Sequence, residues 1–221
     1  MNAGRLVGFL NLTVPANGRV SARFRSVEGS HSLSAKGWSG YEPEGTLKAE
    51  LTGTGDWEDV RLGVAVSAGG AISCEILQGL SNYSFLFPEV LWSKTENAGK
   101  WRGYYTVDLK VTNGVERLTG DGSLTLKMNT DAACNAGKMT YAGVMPDGRS
   151  VSGTGVLIPR EDDLGNWGFA YLPVFCVSSA NGNFTGLLKI NADAKAKHKA
   201  ERRCVYGVAD AALAWEVPAV K

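Results

Sequence analysis

An all-β protein made of two homologous antiparallel halves is the fold this sequence predicts, and three observations predict it. Apolar and polar residues alternate with period two along most of the chain, as half-buried strands require. Turn pairs recur between the alternating runs, at Asn17-Gly18, Asn113-Gly114, Asp121-Gly122, Asp147-Gly148 and Asn181-Gly182. Such pairs accept the positive φ of tight hairpins. Finally, one pattern occurs twice. Gly18-Arg-Val-Ser opens a run that ends at Glu28-Gly29, and Gly137-Lys-Met-Thr opens one that ends at Asp147-Gly148 with the same eleven-residue step. An alternating strand precedes each copy, Phe9-Leu-Asn-Leu-Thr-Val14 and Ser123-Leu-Thr-Leu-Lys-Met128.

Taken in order, the alternation predicts strands over 5–14, 19–26, 30–36, 45–52, 58–66 and 70–77, then 103–111, 121–128, 138–144, 149–157, 167–176, 184–190 and 211–217. Successive hairpins make antiparallel neighbours. The segment 78–100 breaks the rhythm and reads as the connection between halves, which places a first repeat at 1–92 and a second at 93–221. Residues 192–203 hold strong helix formers with Asp193 as a cap, but no apolar stripe, and read as a basic solvated insert. The halves are expected to close as one barrel of about a dozen strands, or else as two small barrels or sandwiches.

Composition narrows the function classes. The 221 residues include 23 basic and 22 acidic side chains, a net charge of +1, which gives no global attraction to nucleic acid or anionic membrane. No apolar run reaches the length of a membrane helix. An outer-membrane barrel is disfavoured because the strands carry charge on both faces. The N-terminus is not a secretory signal, and the expectation is a domain of a larger secreted chain. Four cysteines, Cys74, Cys134, Cys176 and Cys204, form no Cys-x-x-Cys pair. Cys74 and Cys176 read as buried thiols, whereas Cys134 and Cys204 suit a bridge in an oxidising compartment.

The second half also carries a family resemblance. It opens Gly103-Tyr-Tyr-Thr106, continues through Gly122-Ser-Leu-Thr-Leu126, Gly137-Lys-Met-Thr-Tyr-Ala-Gly143 and Pro146-Asp-Gly-Arg149, and closes on Leu213-Ala-Trp215. This succession resembles duplicated β modules found near the C-termini of very large secreted or surface proteins of some bacteria. The resemblance implies a β-barrel-like unit of a surface protein and carries over no catalytic residue. The four cysteines and the basic insert depart from the family's pattern.

The search for chemistry finds little. His31 and His198 stand apart from any Gly-x-Ser-x-Gly elbow, so no triad is indicated. Glu58 and Asp59 are adjacent and point to opposite faces of a strand, so they cannot act as a glycosidase pair. Glu42 with Glu44, and Glu161-Asp162-Asp163, read as turn charges. Neither a metal nor a cofactor is expected. Among the six tryptophans, Trp101, Trp167 and Trp215 read as core. Trp38, Tyr41 and Trp57 lie at strand ends or loops, where an aromatic face could stack on a sugar ring or cover the end of the core. Lys195, Lys197, Lys199, Arg202 and Arg203 form a candidate anion site, read against an ordinary solvated loop. The expected function is a non-catalytic structural or adhesive module whose partner is a glycan or another surface protein. A carbohydrate- or small-ligand-binding barrel is the alternative, and a hydrolase the least supported.

Overall fold

The computed structural model describes residues 8–13, 19–26, 29–35, 37–38, 47–66, 72–79, 92–109, 122–160, 168–178, 182–191 and 208–216, the last by backbone alone. Among these, all the sheets are antiparallel, and the one α-helix has five residues. The described residues divide into two compact units, one over 8–79 and the other over 92–216.

The first unit is a six-stranded meander, β1 (Gly8–Thr13), β2 (Ser21–Ser26), β3 (Ser30–Ser34), β4 (Leu47–Gly53), β5 (Arg61–Val66) and β6 (Ile72–Gln78), each paired with the next. Alternation decides which face is dry. Ala22 and Phe24 of β2, Leu33 of β3, Ala49 and Leu51 of β4 and Leu62 and Val64 of β5 are buried, and their chain neighbours are wet or only half-covered. These residues make one apolar cluster from a single sheet. They meet one another because the sheet curls like half a barrel. Room for the largest member is local: a Cβ on Gly8 would overlap the Phe24 ring.

The second unit holds two four-stranded sheets. One is β7 (Gly103–Leu109), β8 (Gly122–Met128), β9 (Lys138–Val144) and β10 (Ser150–Val156), in the order β10-β9-β8-β7. The other is β11 (Ile158–Arg160), β12 (Phe169–Ser178), β13 (Gly182–Asn191) and β14 (Val208–Glu216), in sequence order. Leu124, Leu126, Met128, Met139 and Tyr141 from the first sheet share a core with Leu172, Val174, Leu188 and Ile190 from the second, all buried. Leu157, fully buried between β10 and β11, marks the passage from one sheet to the other. Its N–H donates to the Gly137 carbonyl at 2.8 Å, and its carbonyl accepts the Trp92 indole N–H at 2.8 Å. Gly137 has φ 59°, and a Cβ there would strike that indole.

Tyr141 ties the two sheets together. Its hydroxyl accepts the Phe175 N–H at 3.0 Å and donates to the Phe175 carbonyl at 3.2 Å. Both partners are backbone groups of β12, which a single hydroxyl can serve at once. Gly153 on β10, the register partner of Tyr141, leaves the space that the phenol fills.

Two elements escape the sequence reading. β11 has three residues and contains Pro159, too short for alternation to register; it lies at the edge of its sheet, where a missing N–H is tolerated. Pro173 of β12 obeys the same rule, because β11 pairs only with Phe169–Tyr171 and has ended before it. The helix α1 (Asp131–Asn135) is equally brief. Thr130 caps it by accepting the Ala133 N–H at 3.1 Å, and Arg102 holds Asp131 at 2.8 Å. The helix expected over 192–203 lies outside the described residues.

Replacing Tyr141 with Phe removes both bonds to β12 while keeping the ring. The expected loss is about 1–3 kcal/mol of stability, for one hydroxyl and two stranded backbone groups, read as a lowered urea midpoint with an unchanged slope. An unchanged midpoint would mean that the hydroxyl does not join the sheets.

Candidate functional site

A candidate site is a groove in the first unit, formed where the meander opens. β3 ends at Ser34 and pairs with β4 through only Leu33↔Gly53 and Ser34↔Thr52. β4 begins at Leu47, so its early residues run on past the end of β3. β3 meanwhile stays with β2, because the Ala35 N–H donates to the Val20 carbonyl at 3.0 Å. The resulting groove has a volume of about 1040 Å³. Ser21, Ser34, Thr52 and Thr54 bring hydroxyls to it, Arg19 and Glu50 bring one charge of each sign, and Gly37 and Gly53 leave bare backbone.

Its charged side is shared with the neighbouring strand. Arg61 of β5 approaches Glu50 at 3.8 Å and donates to the Glu58 carbonyl and, at 3.2 Å, to the Val60 carbonyl. One guanidinium therefore steadies the turn between β4 and β5 and faces the groove's carboxylate. That turn contains a 3-10 segment over Gly55–Trp57, closed by the Val60 N–H to the Trp57 carbonyl at 2.9 Å. Gly53 must lack a side chain, since a Cβ there would overlap the Trp57 backbone.

Trp57, one of the residues singled out from the sequence, rides on this turn. Its ring lies flat on His31, with centroids 4.1 Å apart and planes 8° from parallel, and it tilts against Phe24 at 5.0 Å. It is half-buried and packs on the core. Trp38 is also half-buried against that core, just beyond Gly37 of the groove. Both tryptophans pack against the cluster, and the Trp57 indole stacks on the His31 ring. Tyr41 lies outside the described residues, as do Lys195, Lys197, Lys199, Arg202 and Arg203.

The remaining candidates separate by position. Glu58 and Asp59 are exposed turn residues, while Glu42, Glu44 and Glu161, Asp162 and Asp163 fall outside the described residues. Among the described residues, no three His, Cys, Asp or Glu side chains come together as a metal site would need. Trp101 is 1% exposed, as expected of a core residue, and meets Trp92 edge to face at 5.8 Å. Trp167 and the side chain of Trp215 are outside the described set. Cys134 is a buried free thiol on α1, and Cys204 is not described, so the suggested bridge is not formed at the Cys134 end. Cys74 and Cys176 are free and half-buried.

The titration shifts mark packing. Burial pushes the Cys74 thiol and the Tyr105 phenol each up to about 12. The Tyr105 hydroxyl donates to the Trp101 carbonyl at 2.8 Å. Burial raises Tyr141 further, against the lowering effect of its bond to Phe175. It also raises Cys176, whose thiol donates to the Ser152 carbonyl at 3.3 Å. Each of these groups is held neutral, the opposite of an activated nucleophile.

The hydroxyls of the groove were not among the sequence-derived candidates. Ser21, Ser34 and Thr52 are far apart in the chain, and only strand register makes them neighbours. No family model matches this chain, and neither a curated protein nor a solved structure matches it.

Trp57→Ala separates the two roles open to this ring. As a cover for the core, its loss should cost about 2 kcal/mol, below the range for a fully buried tryptophan, measured by urea unfolding. Stability equal to the parent protein would return Trp57 to the role of an exposed stacking platform.

Proposed function

We propose that the chain is a non-catalytic β-module of a larger secreted or cell-surface protein, with a structural or adhesive role, and that its two halves arose by duplication. The observation that carries this reading is the agreement between two hairpins. In the first unit Leu10 pairs with Phe24 and Leu12 with Ala22. In the second, Leu124 pairs with Gly143 and Leu126 with Tyr141. Aligning the repeated motifs places Leu10 on Leu124, Leu12 on Leu126, Ala22 on Tyr141 and Phe24 on Gly143. Both ladders therefore share one register under an alignment drawn from sequence alone.

The agreement ends at the third strand: Ala22 pairs with Leu33, which the same alignment places on Ser152, whereas Tyr141 pairs with Gly153. Bulk has changed places between the copies: small Ala22 and large Phe24 in one, large Tyr141 and bare Gly143 in the other. A conserved register with redistributed volume is what core repacking after duplication produces, since cores tolerate exchange when total volume is kept. Repeated β units suit long surface chains, where each copy adds length and area.

No helix among the described residues is long and apolar enough to cross a membrane. Tyr105, Tyr141, Cys74 and Cys176 are taken up in packing and sheet-to-sheet bonds, which is also how a structural module uses such groups.

The test has two arms. Purified protein is assayed on a panel of chromogenic ester, glycoside, phosphoester and peptide substrates, and protein-coated beads are tested for retention on immobilised polysaccharides and matrix proteins. The expected result is no turnover above that of heat-unfolded protein, with saturable retention on at least one surface. Turnover performed by folded protein and lost on unfolding would overturn the reading.

A further inference from the structure

We propose that the groove beside β3 and β4 binds a linear, uncharged glycan, which lies across the strands along a row of hydroxyl groups. The row follows from register. Thr13 pairs with Ser21, Ser21 with Ser34, Ser34 with Thr52, and Thr52 with Arg61. Directly paired residues project to the same face of a sheet. Thr13, Ser21, Ser34 and Thr52 are all exposed, so that face is the wet one. Three of the four hydroxyls, those of Ser21, Ser34 and Thr52, also line the groove. A row and a concavity thus coincide.

The chemistry selects the ligand class. Ser and Thr hydroxyls each donate and accept, which matches the hydroxyls of a sugar in either sense. Neighbouring strands stand about 4.8 Å apart, close to the length of one pyranose unit in an extended chain. A polymer running across the strands would meet one hydroxyl per sugar. Arg19 and Glu50 put one charge of each sign on the groove, so its lining has no net charge with which to select a strongly charged ligand. An apolar ligand would bury those hydroxyls without partners, which costs free energy. The volume lies just above the range for ligand pockets, roughly 300–1,000 Å³, enough for more than one sugar ring.

The second unit supplies an internal control. Thr140 pairs with Lys127 and with Thr154, and the motif alignment places Thr140 on Ser21. The hydroxyls persist there, but the strand that would correspond to Thr13 presents Lys127.

This inference goes beyond the structural reading above, since a module can hold its place in a surface chain without a ligand. Failure to bind glycan therefore leaves that reading standing. The experiment is affinity electrophoresis of the full chain through gels containing neutral linear glucans or mannans of differing linkage, with polygalacturonate and chitosan as charged polymers. Wild type should be retarded by at least one neutral glycan. Ser34→Ala/Thr52→Val should weaken that association at least tenfold, and Thr140→Val/Thr154→Val should leave it unchanged. Titration of wild type with a short oligomer of the same glycan should shift the Ser21, Ser34 and Thr52 amide resonances saturably, which requires no variant to fold. The inference is overturned by retardation in charged gels alone, by no retardation, by an unaffected Ser34/Thr52 variant, or by shifts centred elsewhere.

Discussion

The six-stranded sheet and the sheet of β7 to β10 each have one face that must leave water, and the rest of the structure depends on how that face is covered. Alternation along β8, where Leu124, Leu126 and Met128 are fully buried and the residues between them are exposed, is the plainest case. A sheet with one apolar face needs a second layer. The second unit supplies another sheet. The first unit curls its own strands over a shared cluster and packs Trp57 against it. The same alternation that sends Ala22 and Leu33 inward sends Ser21 and Ser34 outward, so the core and the hydroxyl row are two results of one constraint.

Two aromatic side chains on these faces occupy space that a glycine leaves open. Phe24 lies where Gly8 has no side chain, and Tyr141 where Gly153 has none. In the second unit the arrangement goes further. The Tyr141 hydroxyl crosses to the backbone of β12, joining layers that would otherwise be held by apolar contact alone. Burial there raises the phenol and the neighbouring Cys176 thiol, and both stay neutral. A side chain whose charged form is excluded can be placed in a core at little electrostatic cost. The absence of activation at these sites is thus a consequence of their use in packing.

Much of the fold is legible in the sequence because its signal is local. The run expected over 138–144 is β9 (Lys138–Val144), and that over 30–36 is β3 (Ser30–Ser34). Period two shows in a single strand and needs no partner. β11 and α1 were not legible for the same reason: three and five residues are too few to display a period. The candidate site was legible only in part. Trp38 and Trp57 stand out by residue type, but whether an indole covers a core or faces a ligand depends on what lies over it. Ser21, Ser34 and Thr52 are ordinary polar positions until pairing brings them into line. Alternation says which face a residue occupies, whereas register says which residues are neighbours, and register is a long-range property.

Register is therefore where one-sided burial meets function, since a slip of one residue would turn every side chain of a strand to the other face. Cross-strand nuclear Overhauser effects between β3 and its neighbours measure it directly. Contacts that pair Ser34 with Ser21 on one side and with Thr52 on the other are the predicted result, with Leu33 in contact with the core. A pairing offset by one residue, which would bring Ser34 inward and Leu33 into water, would contradict both the curled core and the row of hydroxyls.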